Sequence, residues 1–392
     1  MTYPHALQYL CYDWHQDNIK LANSDRIRQL WGCLPDDAAS TPPPFLIALP
    51  KTKQGHATAL FLSSVLATAN VCCAHLIEPT AAEPKPSFTQ LRSHFLLDGQ
   101  PIPPSALLPS CQSLAAAEQR MLRPQGEHLS GEERCTIVLT HCLSRLGCRV
   151  ILWEGAPDSA AVSLLLCLLP HALGLTVVSD TDSAQLPLRF LCRGIREVVC
   201  TNCDSATYRT ISDACVRAEC RLSFVSIKEC RRSVCRPASQ VMDYRNIEGC
   251  RLSCGAPSAT HAAMLATEVL LTLRRHGLAV NDDAIRQGLS QAVLPLYFAV
   301  CAIHPLLFAD CIETPLDLPG CVENLRAMQQ LTDERCRLIV QPELQEALTP
   351  LLLQISLVDE NTPEQDVFTL IVGSEPFLQQ SLATFAPRMR RL

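Results

Sequence analysis

The 392-residue sequence predicts an α/β fold: a mostly parallel, P-loop-type sheet with helices on both faces, followed by a smaller C-terminal α/β unit. Two patterns predict it. Short, continuous apolar runs bounded by prolines, glycines or acidic residues, such as Phe45-Leu-Ile-Ala-Leu49, read as strands buried on both faces. Stretches whose apolar residues recur at helical spacing alternate with those runs. Composition agrees: 48% hydrophobic and 18% charged residues, with 28 Pro and 15 Gly, suit a globular chain and exclude disorder, collagen and coiled coil.

Leu7 and Leu10, then Ile27, Leu30 and Trp31, give two short helices, ended by Pro35 and the Pro42-Pro43-Pro44 run. The run at 45–49 is the first strand. Residues 50–58 follow as a polar loop and 59–69 as a helix, an arrangement that can hold a phosphate at a helix N-terminus. Strands at 148–153, ending in Glu154, and at 173–178, ending in Ser179-Asp180, end where open α/β sheets place a ligand crevice. Helices around Ser144, over 161–169 and over 210–220 alternate with them, and an Ala- and Leu-rich helix over 259–275 precedes another over 282–291. After Pro295 the pattern resets: strands at 297–302 and 306–309, a helix over 322–331, and strands at 337–340 and 367–372. A boundary near 295 therefore divides a main unit, 1–295, from a small one, 296–392.

Charge and apolar patterning narrow the partners. With 33 basic against 39 acidic residues, a net charge of −6 and no long run of one sign, the chain is not expected to present the phosphate-neutralising surface of a nucleic-acid binder, and Arg388, Arg390 and Arg391 read as a solvated tail. The longest apolar stretch, 161–178, contains Pro170 and His171 and breaks at Gly174, which suits a buried helix running into a buried strand rather than a membrane span. No export signal opens the sequence, so the expected location is the cytoplasm. There the 22 cysteines are expected as thiols at ordinary core positions. Nine lie between Cys192 and Cys254, and Cys200-Thr-Asn-Cys203 has zinc-ligand spacing, but no second C-x-x-C pairs with it.

The order of segments resembles the folylpolyglutamate synthase and dihydrofolate synthase family, within the Mur ligase superfamily of ATP-dependent amide-forming ligases, over nearly the whole chain. Tyr3-Pro-His-Ala-Leu-Gln-Tyr-Leu10 and Asp25-Arg-Ile-Arg-Gln-Leu30 are similar to the family's opening helix and its GLERIRxLL segment. A first phosphate-type loop near residue 50 leaves no room for the UDP-sugar-binding domain of Mur enzymes, which favours the folate branch. Beneath the family's G-T-N-G-K-G-S-T loop lies Lys51-Thr-Lys-Gln-Gly-His-Ala-Thr58. Thr52 and Thr58 match; Gly55 replaces the lysine, Ala57 the serine, and Gln54 and His56 two glycines. The SPHL turn becomes Cys73-Ala-His-Leu76, and the strand-end glutamate that helps hold Mg²⁺ matches Glu154. In GxHQxxNAA the nucleotide-contacting Asn is replaced by His261, in PGRFEV the Arg is replaced by Tyr297, and DGAHNP keeps its first residue as Asp310.

The resemblance thus implies a remnant ATP site at Lys51, Thr52, Lys53, Gly55, Thr58, His261 and Asp310, a remnant Mg²⁺ position at Glu154, and a substrate contact at His75. Such a loop works because a lysine ammonium meets the β- and γ-phosphates, glycines let backbone N–H groups close round them, and a hydroxyl ligates Mg²⁺. At about 1.5–3 kcal/mol per charged hydrogen bond, replacing the loop lysine, the serine, the asparagine and the arginine removes roughly 6–12 kcal/mol. A micromolar ligand has only about 8 kcal/mol to lose. The expectation is a pseudo-ligase with no cofactor, serving as binding or regulatory partner of an active ligase or another folate-pathway enzyme. Glu154 and Asp310 would face its pocket without a matched cation. The alternative is a divergent active ligase that uses ATP and Mg²⁺ to add glutamate to folate, or another amino acid to a related acid, with Lys51 or Lys53 reaching the phosphates.

Overall fold

The computed structural model describes residues 2–11, 24–35, 45–78, 94–122, 127–155, 160–169, 171–178, 195–201, 205–236, 239–303, 306–312, 317–352, 355, 357–358 and 367–385. Its largest sheet contains β1 (Phe45–Pro50), β2 (Cys73–Ile77), β3 (Phe95–Leu97), β4 (Gln100–Pro101), β5 (Val150–Gly155), β6 (Leu173–Val178), β7 (Ile195–Thr201) and β8 (Arg221–Val225). The strand order is β4-β3-β2-β5-β1-β6-β7-β8; from β2 to β8 every pairing is parallel, and the β3–β4 hairpin adds an antiparallel edge. Helices α1 (Tyr3–Cys11), α2 (Ser24–Trp31), α3 (Lys53–Thr68), α4 (Pro104–Met121), α5 (Gly131–Arg145), α6 (Ala160–Leu168) and α7 (Ser205–Arg217) are interleaved with these strands.

Side-chain alternation explains why the strands read as unbroken apolar runs. Ile47, Leu49 and Leu152 point to one face, in a core shared with Phe61 and Leu62 of α3. Leu46, Ala48, Ile151 and Trp153 point to the other, with Leu114 of α4 and Leu139 of α5. Helices α8 (Pro257–Arg275) and α9 (Asp282–Gln291) pack against α3.

A second, antiparallel sheet of β9 (Cys230–Arg236), β10 (Ser239–Tyr244) and β11 (Ile247–Leu252) occupies part of the cysteine-dense stretch, where the sequence pattern predicts no strand. The alternation is there: Gln240, Met242 and Tyr244 are buried, with Val241 and Asp243 between them partly exposed. Cys200, Cys215, Cys250 and Cys254 are buried free thiols, as expected of core positions. Cys192, Cys203 and the predicted strand end Ser179-Asp180 lie outside the described residues.

A third sheet has the order β12-β13-β15-β14, formed by β12 (Ala299–Ile303), β13 (Leu306–Cys311), β14 (Arg335–Val340) and β15 (Val367–Gly373). Helices α10 (Leu318–Thr332), α11 (Pro342–Leu348) and α12 (Glu375–Phe385) accompany it. The strand expected from 297 starts only at Ala299, because Leu296 and Phe298 take φ of 53° and 49°, left-handed values that no strand accommodates. Among the described residues, no helix is long and apolar enough to cross a membrane.

Candidate functional site

The strand-to-helix turn after β1 is tighter than the sequence suggested. The loop expected over 50–58 is two residues long, and α3 starts at Lys53 instead of 59. Thr52 caps it: its Oγ1 accepts from the Gly55 N–H at 3.1 Å, and its carbonyl accepts from the His56 N–H at 2.8 Å. A Cβ on Gly55 would lie 2.0 Å from the carbonyl oxygen of Pro50, so the helix can approach the strand end this closely only with glycine there. The Thr58 hydroxyl donates to the Gln54 carbonyl at 2.8 Å inside the helix. Thr52, Gly55 and Thr58 thus build the turn itself.

The two lysines are both engaged. The Lys51 ammonium donates to the Glu78 carbonyl at 2.6 Å. Lys53 is the first residue of α3, and its ammonium forms an ion pair with Asp310 and lies over the Tyr297 ring, 4.7 Å from the centroid. Its backbone N–H donates to the Asp317 carboxylate at 2.9 Å. Asp310, near the end of β13 and fully buried, also accepts from the Phe298 N–H at 2.7 Å. The left-handed residues at 296 and 298 bend the chain round that carboxylate. Burial alone would lower the Lys53 pKa, but Asp310, Cys321 and Asp317 together outweigh it and hold the ammonium above its ordinary range.

These contacts correct one expectation: Asp310 does have a cation. The start of α3, where the positive end of a helix favours an anion, already holds a carboxylate of the chain's own C-terminal part.

Glu154 has partners as well, two imidazoles. Strand β5 pairs with β2 so that His75 lies opposite Leu152 and Ile77 opposite Glu154, which puts His75 and Glu154 on the face covered by α3. His56, one turn into α3, completes the group. His75 Nε2 and His56 Nδ1 each lie 2.9 Å from the same carboxylate oxygen of Glu154. Burial alone would raise the Glu154 pKa, but the hydrogen bonds from His56 and His75 outweigh it and bring it down to about 2. The structure therefore joins His75 to the residue expected to hold a metal. It also adds His56, which in the sequence stands out only as the replacement of a loop glycine; an imidazole where a phosphate loop needs glycine is the signal the sequence offers.

Mg²⁺ demands oxygen donors in near-octahedral geometry. Around Glu154 the chain supplies two imidazole nitrogens, and the position that the resemblance gives to a metal-binding serine is Ala57. This donor set does not fit Mg²⁺. His261 lies on α8, and its charged neighbours are Glu323 and Arg232; burial lowers its pKa. On the same helix, the Ser258 hydroxyl donates to Asn324 of α10 at 2.9 Å.

The sequence matches no family model and no curated protein. Solved structures do match: folylpolyglutamate synthetase from Lactobacillus casei superposes with a TM-score of 0.68 at 14% identity, covering 98% of this chain and 100% of that one. The chain has the folylpolyglutamate synthase fold. Folylpolyglutamate synthase from Thermotoga maritima gives a TM-score of 0.65 at 15% identity, over 98% of this chain and 96% of the other. The bifunctional folylpolyglutamate synthase/dihydrofolate synthase from Yersinia pestis, complexed with AMPPNP and a manganese ion, gives 0.62 at 16% identity over 98% of both chains. The folylpolyglutamate synthase fold thus extends over both the large parallel sheet and the smaller C-terminal sheet, as the sequence predicted.

Proposed function

We propose that this chain is a folylpolyglutamate synthase-like pseudo-ligase that does not carry out ATP-dependent ligation and acts as a binding or regulatory partner of an active ligase or folate-pathway enzyme. One observation carries the reading: at the start of α3, Asp317 takes the backbone N–H of Lys53 and Asp310 takes its ammonium. A phosphate entering there must displace two carboxylates. Withdrawing Lys53 leaves Asp310 buried with no counter-charge, a cost of about 3–5 kcal/mol for breaking a buried pair. That is a large part of the roughly 8 kcal/mol available to a micromolar ligand. Titration calorimetry of the pure protein with Mg-ATP is expected to give no micromolar binding; such binding would overturn the reading. Its partner half is tested by co-elution of the chain with an active folate ligase on gel filtration.

The shared fold with an AMPPNP- and manganese-bound ligase favours a second reading, an active ligase in which the Lys53–Asp310 pair opens to admit ATP. It requires ADP release that depends on both an acid and an amino acid, and absence of turnover across a panel of folates and other carboxylic acids removes it.

A further inference from the structure

The donor set that rejects Mg²⁺ suits another kind of ion. We propose that His56, His75 and Glu154 form a binding site for a divalent transition metal of the zinc class. The reading is independent of whether the chain ligates anything.

Geometry carries it. The three ligand atoms lie within 4.8 Å of one another, and both imidazole nitrogens converge on one carboxylate oxygen at 2.9 Å. Around a tetrahedral zinc with bonds of about 2.0–2.1 Å, neighbouring ligand atoms stand roughly 3.3 Å apart. The two nitrogen-to-oxygen spacings need only a few tenths of an ångström of outward movement, and the two nitrogens stand no more than 4.8 Å from each other. Each ligand stands on a regular element, His56 on α3, His75 on β2 and Glu154 on β5, so their relative positions are set by the sheet and the helix covering it.

Ligand chemistry supports the same choice. Two imidazoles and one carboxylate suit zinc, cobalt or nickel, whereas Mg²⁺ and Ca²⁺ call for oxygen alone. Three protein ligands leave a fourth position open, the pattern of a zinc site that can take water or a ligand rather than of a closed structural one. His75 and Glu154 are 3% exposed but His56 is 33% exposed, so ion and water reach the group from its side. A neighbouring carboxylate lies close: the Glu78 side chain folds over Gly155, where a Cβ would stand 2.1 Å from its Oε2.

The test uses the full chain, stripped with a chelator and kept reduced, and titrated with Co²⁺ alone. The expected result is one equivalent of Co²⁺ per chain, with visible absorption bands of a low-symmetry site and no thiolate charge-transfer band. Millimolar Mg²⁺ leaves the binding unchanged. His56→Ala and His75→Gln each weaken it about 100-fold. Far-UV circular dichroism confirms that each variant is folded; where His75→Gln fails to fold, the partly exposed His56 decides through its alanine variant. A thiolate band, uptake unchanged in His56→Ala, or no saturable uptake each overturns the proposal. The thiolate band would assign the metal to the cysteines, and unchanged uptake would mean an adventitious metal only.

Discussion

Lys53 joins three partners in the candidate site: its ammonium pairs with Asp310 and lies over the Tyr297 ring, and its backbone N–H donates to Asp317. Its ammonium, 11% exposed, pairs with a carboxylate that is fully buried, so the pair exists only while both members are present. Lys53→Met leaves Asp310 charged and uncompensated and is expected to destabilise the protein by about 3–5 kcal/mol, whereas Lys53→Met with Asp310→Asn recovers most of that loss. Urea unfolding of the two single variants and the double variant measures the coupling; simple additivity would mean that the pair is energetically idle. Gly55 is tied to the same turn by shape instead of charge. Gly55→Ala drives a methyl into the Pro50 carbonyl, which no side-chain rotation relieves, and is expected to cost about 2 kcal/mol in the same measurement. The helix-propensity gain of alanine, at most about 1 kcal/mol, has the opposite sign and is the smaller effect.

At the scale of elements, α5 begins with a reciprocal cap: the Ser130 side chain accepts from the Glu133 N–H at 3.1 Å, and the Glu133 carboxylate accepts from the Ser130 N–H at 2.7 Å. Ser130→Ala is expected to cost about 1 kcal/mol by thermal or urea unfolding. Helices α1, α4 and α5 meet at Glu118, which accepts from the Tyr9 hydroxyl at 2.5 Å and from Arg134 Nη2 at 2.9 Å. Burial alone would raise the Glu118 pKa, but Arg134 and Tyr9 outweigh it and bring it below the ordinary value of 4.5. A carboxylate depressed on folding stabilises the native state above its unfolded pKa, and the contribution fades as pH falls through the folded value. The stability gap between the protein and Glu118→Gln is therefore expected to be largest at neutral pH and to shrink below pH 4.5, as read from urea midpoints at a series of pH values. An unchanged gap would mean that the charge of Glu118 is not what joins the helices.

Elements such as β1, β5 and β6 were legible because both faces of a parallel sheet are covered, which writes an uninterrupted apolar run. Strand β2 was not, being five residues long with His75 at its centre, and the β9–β11 meander was obscured by its arginines and cysteines. The start of α3 was misplaced because Lys-Gln-Gly-His-Ala-Thr looks like loop, while one threonine hydroxyl suffices to cap it as helix. Within the site, the identities of Glu154 and Asp310 came from the resemblance, but their partners did not. Lys53 and Asp310 are 257 residues apart, and the packing of the C-terminal part against the rest of the chain brings them together.

At the scale of the whole molecule, that packing decides how the protein unfolds. Phe308, Leu325 and Phe368 belong to one buried apolar cluster with Phe61 and Leu265, and Leu325 stands on α10, which packs against α8. Polar ties cross the same surface: Lys53 to Asp310 and Asp317, and Ser258 to Asn324. Separating the C-terminal sheet would expose the apolar surface on both sides and break a buried ion pair, so neither part is expected to persist alone. The sequence supplies a natural probe, because its three tryptophans, Trp14, Trp31 and Trp153, all precede residue 160. Tryptophan fluorescence therefore reports the large-sheet part, whereas far-UV circular dichroism reports both. One cooperative transition requires the two urea curves to coincide. A dichroism change that precedes the fluorescence change would mean that the C-terminal sheet melts first, and that the shared core and the Lys53–Asp310 pair do not couple the two parts.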